Sequence, residues 1–238
     1  MTAPQSAAAP VVLVVQHEDG CPPGHVGAGL LAAGCRLDVR RPYAGDPLPA
    51  DLDAVDALLV LGGEMNADEH DRHPWLAPTK ELVRAAARDG VPTLGICLGH
   101  QIVAGALGGR VVRNPAGPQE GLVPTGWTPD AGADPLLGPC TAAPTAVHFN
   151  GDIVDRLPKG AVVLARAPGG EVQAARHADS VWGVQCHPEA GAEIVGRWPG
   201  TEGSLAAIAA AEPGLVATWA PLARALAALA RHRRDHRP

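Results

Sequence analysis

Val91-Pro92-Thr93-Leu94-Gly95-Ile96-Cys97-Leu98-Gly99-His100-Gln101 decides the fold. Residues 91–96 are a short apolar run that reads as a strand buried on both faces. Cys97 follows at once, with a glycine two places to either side. Residues 100–107 then read as a helix that stops at Gly108-Gly109. A buried strand turning straight into a helix belongs to an α/β sheet, and the flanking sequence repeats the rhythm. Residues 11–15 and 57–61 are further buried strands, and 36–40 is a weaker one. Residues 24–34 and the amphipathic stretch 74–89 are the helices between them. Downstream, 162–165, 172–176 and 181–186 read as strands. The intervening stretch 111–144 is rich in Pro and Gly and is predicted to be a meander inserted on one edge. Residues 203–211 and 215–232 are two Ala/Leu-rich helical patterns.

Composition limits what such a sheet serves. The chain has 238 residues, 46% of them hydrophobic and 18% charged, an ordinary globular balance. That length leaves no room for a large catalytic domain together with a separate synthetase or ATP-binding domain. No run approaches the roughly 18 apolar residues of a membrane span, so no membrane association is expected. Net charge is −6, with +3 in residues 231–238 and −9 in the rest. An acidic body is a poor match for a phosphate backbone, so nucleic acid is not an expected partner. The basic end reads as a solvated helix end before a frayed terminus. The five cysteines have no disulfide or zinc spacing, and residues 1–10 resemble no signal or transit peptide. Free thiols in the cytoplasm are therefore expected.

The chemistry centres on Gly95-Ile96-Cys97-Leu98-Gly99. Its spacing is that of a nucleophile elbow, with Cys in the place of Ser. The turn lifts the side chain out of the sheet, and the helix N-terminus beneath the sulfur favours the thiolate. The pentapeptide alone fits a buried strand-end cysteine equally well. A second motif, Gln185-Cys186-His187-Pro188-Glu189, follows the last strand. A thiol attacking an amide needs a base that takes its proton and returns it to the leaving amine. That base needs a partner to fix its tautomer. Residues two apart, with proline between them, suit the second demand. Attack also needs donors for the oxyanion, and Gly62-Gly63 at the end of a neighbouring strand is placed to offer one beside the Leu98 amide.

Together these motifs resemble those of the class I, triad-type glutamine amidotransferases, and above all stand-alone members similar to the amidotransferase domain of GMP synthase. Leu61-Gly62-Gly63, Pro74-Trp75-Leu76 and Gly151-Asp152 extend the resemblance across residues 11–198. It implies a flavodoxin-like three-layer sandwich with a mostly parallel central sheet over residues 10–198. A flexible segment, 1–9, would precede it, and a helical extension, 199–238, would follow. It implies Cys97 as nucleophile, His187 as base and later acid, and Glu189 as its orienting carboxylate. Gly63 and Leu98 would form the oxyanion hole, and Gly62, Gln101, Asn150 and Gly151 would lie at the substrate site. His100 would support the packing. No cofactor and no metal are implied.

Three departures stand out. Asn150 replaces a histidine usual in related members, Glu64 a proline after the two glycines, and Cys186 a phenylalanine. Glu64 could meet a substrate amine, and Cys186 could loosen the packing behind His187. Residues 68–73 (Asp-Glu-His-Asp-Arg-His) have the makings of a metal cluster but read better as a solvated loop. The expected substrate is glutamine or another γ-glutamyl small molecule. Three functions stay open. One is a glutaminase whose ammonia goes to a separate synthetase subunit. Another is a hydrolase of γ-glutamyl conjugates without a partner, and the third is a non-catalytic regulatory relative.

Overall fold

The computed structural model describes residues 8–237. Most of the segment expected to be flexible, 1–7, lies outside these residues. The strands are β1 (Val11–Val15), β2 (Arg36–Arg40), β3 (Ala57–Val60), β4 (Thr93–Ile96), β5 (Arg110–Arg113), β6 (Gln119–Pro124), β7 (Gly126–Trp127), β8 (Thr145–Asn150), β9 (Asp152–Arg156), β10 (Val162–Arg166), β11 (Val172–Ala178) and β12 (Val181–Val184). The helices are α1 (Gly24–Ala32), α2 (Leu76–Arg88), α3 (Leu98–Ala106), α4 (Ala192–Val195) and α5 (Glu202–Asp235).

The main sheet has eight strands in the order β2-β1-β3-β4-β12-β11-β10-β7. β2, β1, β3, β4 and β12 run parallel, and the rest add antiparallel pairs on one edge. This is the flavodoxin-like order, with ligand space outside the carboxyl ends of the parallel strands. Alternation within the strands sorts the core into two layers. Val12, Val14, Leu59 and Leu61 share one apolar cluster with residues of α1 and α5. Leu13, Val15, Leu58 and Val60 share the other with residues of α2 and α3.

Three expectations need correction. Residues 111–144 do not form a meander on one edge. β5 pairs with β9, and β6 with β8, as two separate antiparallel ribbons, while the short β7 joins the main sheet. The partner strands come from residues 145–156, beyond the expected insertion, so no local pattern revealed them. Nor is the C-terminal region two helices. α5 runs unbroken over 34 residues with Pro213 and Pro221 inside it. Proline costs a helix roughly 3 kcal/mol, and tertiary burial offsets that here. Trp219, Leu222, Ala223, Leu226, Ala227 and Ala230 form one buried stripe in the main core cluster, completing the layer begun by α1.

α5 is also long and apolar enough, by length and composition, to cross a bilayer. Its buried stripe is committed to the sheet. The arginines at its end are not a frayed terminus either. Arg231 Nη1 donates to the Ala33 carbonyl at 2.8 Å and Arg233 Nη1 to the Asp89 carbonyl at 2.7 Å. Arg237 pairs with the buried Asp56, whose other oxygen accepts from the Val11 amide at 2.8 Å.

Candidate active site

The site lies at the carboxyl ends of β1, β3, β4 and β12. Among the described residues, Cys97 is the one non-glycine residue with positive φ, at φ 52° and ψ −108°. A side chain held there costs about 1–3 kcal/mol and persists only where the surroundings over-determine it. They do so through the two motif glycines. A Cβ on Gly95 would lie 2.4 Å from the Gly99 carbonyl oxygen, and one on Gly99 would lie 2.0 Å from that of Val60. Only bare backbone lets α3 start this close to two strand ends. The Cys97 amide donates to the Val184 carbonyl at 2.8 Å, which ties the turn to β12.

His187 comes to the sulfur from the loop after β12. Its Nδ1 lies 2.7 Å from Glu189 Oε1, and it lines the same cavity as Cys97. His187 and Glu189 are both buried. The Trp198 ring packs on the imidazole with centroids 4.6 Å apart and is held by its indole N–H donating to the Gly20 carbonyl at 2.8 Å. Burial by itself would push the imidazole toward its neutral form. The adjacent Cys97 and Glu189 outweigh it and raise the His187 pKa to about 10. Two other thiols lie close by. Burial, reinforced for Cys21 by the Glu18 carboxylate, holds Cys21 and Cys186 in the protonated form.

Neither the Gly63 nor the Leu98 amide has an acceptor among the described residues, so both are free to receive a developing oxyanion. Gly63, Leu98, Gln101, Asn150 and Gly151 all line a cavity of about 450 Å³ together with Cys97 and His187. Gly62 does not line it. A Cβ there would lie 3.2 Å from His187 Cε1, 3.5 Å from Cys21 Sγ and 3.7 Å from Cys97 Cβ, so Gly62 makes room for these three side chains. Gln101 Nε2 and Asn150 Nδ2 both donate to the Asp152 carbonyl, at 3.0 and 3.1 Å. Asn150 thereby braces the cavity wall. Glu64 also lines the cavity, and its amide donates to Glu18 Oε2 at 3.1 Å. Cys186 is buried in the main core cluster. His100 is fully buried in α3 against His177, ring nitrogens 3.1 Å apart.

Asp68 and His70 of the candidate metal loop converge on Lys80, at 2.6 and 3.4 Å, which fastens the loop to α2. Sequence reading gave no role at the site to Trp198, Glu18, Cys21, Arg113 or Gln185. Of these, only Gln185 carried a signal. It stands two residues before His187, on the same side of an extended chain.

The profile of the family described as glutamine amidotransferase class-I matches residues 27–197. The chain belongs to the class-I glutamine amidotransferases. It is 31% identical over 165 residues to the glutamine amidotransferase-like protein YfeJ of Salmonella typhimurium, covering 68% of each chain. It is 33% identical over 142 residues to one subunit of the glutamine-hydrolysing GMP synthase of Halobacterium salinarum, covering 59% of this chain and 69% of that one. It is 32% identical over 181 residues to the gamma-glutamyl-L-1-hydroxyisopropylamide hydrolase of a Pseudomonas species, covering 71% of this chain and 60% of that one. Among solved structures, a glutamine amidotransferase from Methylobacillus flagellatus superposes with a TM-score of 0.79 at 28% identity over 95% of each chain. A Thermotoga maritima glutamine amidotransferase reaches 0.81 at 23% identity over 92% of this chain and 98% of its own, a likeness of fold. Members of this class-I family are hydrolytic enzymes.

Proposed function

We propose that this amidotransferase is a cysteine hydrolase of γ-glutamyl amides, with glutamine as the first substrate. The observation that carries the reading is the His187–Glu189 contact at 2.7 Å on the same cavity as Cys97, which stands on a strained elbow. Cys97 sulfur attacks the side-chain carbonyl, and the carbonyl oxygen takes up negative charge facing the Gly63 and Leu98 amides. The C–N bond breaks as the His187 imidazolium gives its proton to the leaving nitrogen, and ammonia departs from a thioester. Water then attacks the thioester while His187 takes its proton, and glutamate leaves with Cys97 restored. Glu189 keeps the imidazole in one orientation throughout. Gln101, Asn150 and Gly151 form the wall against which the glutamyl group lies. Purified protein should release ammonia from glutamine, and the Cys97→Ala variant should release none; full turnover in that variant overturns the reading.

A second reading, hydrolysis of a larger γ-glutamyl conjugate, is favoured by one feature of the site. The cavity is about 450 Å³ and its rim is open, with Glu64, Arg113 and Glu120 exposed to solvent. Sites of this size accept ligands larger than a single amino acid, and one relative is a hydrolase of a γ-glutamyl hydroxyisopropylamide. The likeness to a GMP synthase subunit supports the alternative in which ammonia passes to a separate synthetase chain. Comparing kcat/KM for glutamine and for N-alkyl γ-glutamyl amides on the isolated chain decides between them. Preference for the alkyl amide makes conjugate hydrolysis the function. Preference for glutamine, with stimulation by a co-purifying ATP-dependent ligase, makes it ammonia supply.

A further inference from the structure

Gln185 belongs neither to the triad nor to the cavity wall, and it is completely buried. Its Nε2 lies 3.6 Å from Cys97 Sγ, and its Oε1 lies 3.4 Å from Gln101 Nε2. Gln101 Nε2 lies 3.0 Å from the main-chain oxygen of Asp152. The two ends of a carboxamide have nearly the same shape, so their partners must decide which way each one points.

The Asp152 oxygen is a carbonyl and can only accept. Gln101 must therefore present its NH2 group there. The second N–H of that group points at Gln185, which must answer with its carbonyl. That leaves the Gln185 NH2 facing Cys97. The polarity of the relay thus runs from the main chain outward and ends with an N–H aimed at sulfur. Backbone holds both ends of the last contact, since the Cys97 amide donates to Val184 and the Gln185 amide to Gln173, each at 2.8 Å. The titratable groups around the sulfur include His187, with Glu189 behind it, the thiols of Cys21 and Cys186, and the Glu18 carboxylate that accepts from Cys21. Gln185 differs from all of them in offering the sulfur a donor that does not titrate.

We propose that Gln185 is a positioning residue that holds the Cys97 sulfur as a hydrogen-bond acceptor. Gln101 sets its polarity and ties the nucleophile to the 150–152 wall of the cavity. The consequence for turnover rests on the hydrolase reading; the contact itself does not.

The test is the rate of iodoacetamide alkylation of Cys97 as a function of pH, read by mass spectrometry of the peptide containing it. The full chain is used, free of substrate. Gln185→Met keeps the length of the side chain and removes the donor. A hydrogen bond to a charged group is strong enough that its loss should move the alkylation midpoint up by about 1–2 pH units, slowing the reaction about ten- to hundredfold at pH values below the native midpoint. Gln101→Met leaves the Gln185 amide free to turn over and should give a smaller shift in the same direction. A residue that merely fills space would alter stability and leave the midpoint in place. A folded Gln185→Met protein with the unaltered midpoint overturns the proposal. If that variant does not fold, an unaltered midpoint in Gln101→Met does so. Alkylation needs no turnover, so failure here is separate from failure of the hydrolase reading.

Discussion

Replacing Glu189 with Gln changes one charge and almost no volume, at the buried end of the 2.7 Å contact with His187 Nδ1. A hydrogen bond from a cation to a buried carboxylate contributes about 1.5–3 kcal/mol, or about 1–2 pH units on the imidazole. The His187 pKa, raised to about 10 in the native protein, should therefore fall to about 8–9 in the variant. The sign of the stability effect follows from linkage. Between the unfolded value near 6.5 and the folded value near 10, the native state holds a proton that the unfolded state has released. Stability from this group is complete below pH 6.5 and declines by up to about 1.4 kcal/mol per pH unit until pH 10. In Glu189→Gln that decline should end one to two units earlier. Catalysis should suffer far more, with kcat/KM down by about 10²- to 10⁴-fold as the imidazole loses its orienting anion. The second carboxylate oxygen, Oε2, has no partner among the described residues, so removing the charge also relieves a buried cost. Urea midpoints followed by Trp fluorescence across neutral to alkaline pH, with NMR titration of His187, measure both effects. A variant with an unaltered His187 titration refutes the electrostatic argument.

On the acid side the histidines act in the opposite sense. Burial holds His17 and His177 down to about 3 and His148 to about 4, so stability present above pH 6.5 should be lost as pH falls, by up to about 1.4 kcal/mol per unit for each group. Urea midpoints between neutral pH and pH 4 report this, and a flat profile contradicts it. Arg237→Ala should cost about 1–3 kcal/mol by stranding Asp56, a carboxylate with 3% side-chain exposure, and differential scanning calorimetry measures the loss. Gly99→Ala forces backbone against the Val60 carbonyl and should abolish turnover; Gly34→Ala, where φ is +82° and nothing lies within 4 Å, should cost only about 1 kcal/mol and leave turnover intact.

Much of the fold was legible because the parallel strands are short apolar runs between helices with glycine stops, as in residues 91–109. The candidate triad was legible for a related reason. Cys97 stands immediately after β4, and His187 and Glu189 lie in the short loop after β12, close to the ends of neighbouring parallel strands. The parts that were not legible depend on contacts between residues far apart in sequence. β6 reaches across more than twenty residues to pair Gln119 with Asn150, and nothing local encodes that register. Residues 203–211 and 215–232 read as two helices, but the stripe from Trp219 to Ala230 shows that burial on the sheet outweighs local propensity across Pro213. The tail arginines read as solvated because the carbonyls that receive them lie on loops far upstream. Gly62 was assigned to the substrate and lies instead beside His187 and Cys97. Its neighbour Gly63 lines the cavity.

The central claim is that Cys97 carries the glutamyl group during turnover. Acid quenching within the first turnovers on glutamine, followed by peptide mass spectrometry, tests it directly. The peptide containing Cys97 should carry a γ-glutamyl thioester that disappears as substrate is exhausted. Steady ammonia release with Cys97 unmodified at every time point, or turnover that survives in Cys97→Ala, contradicts it.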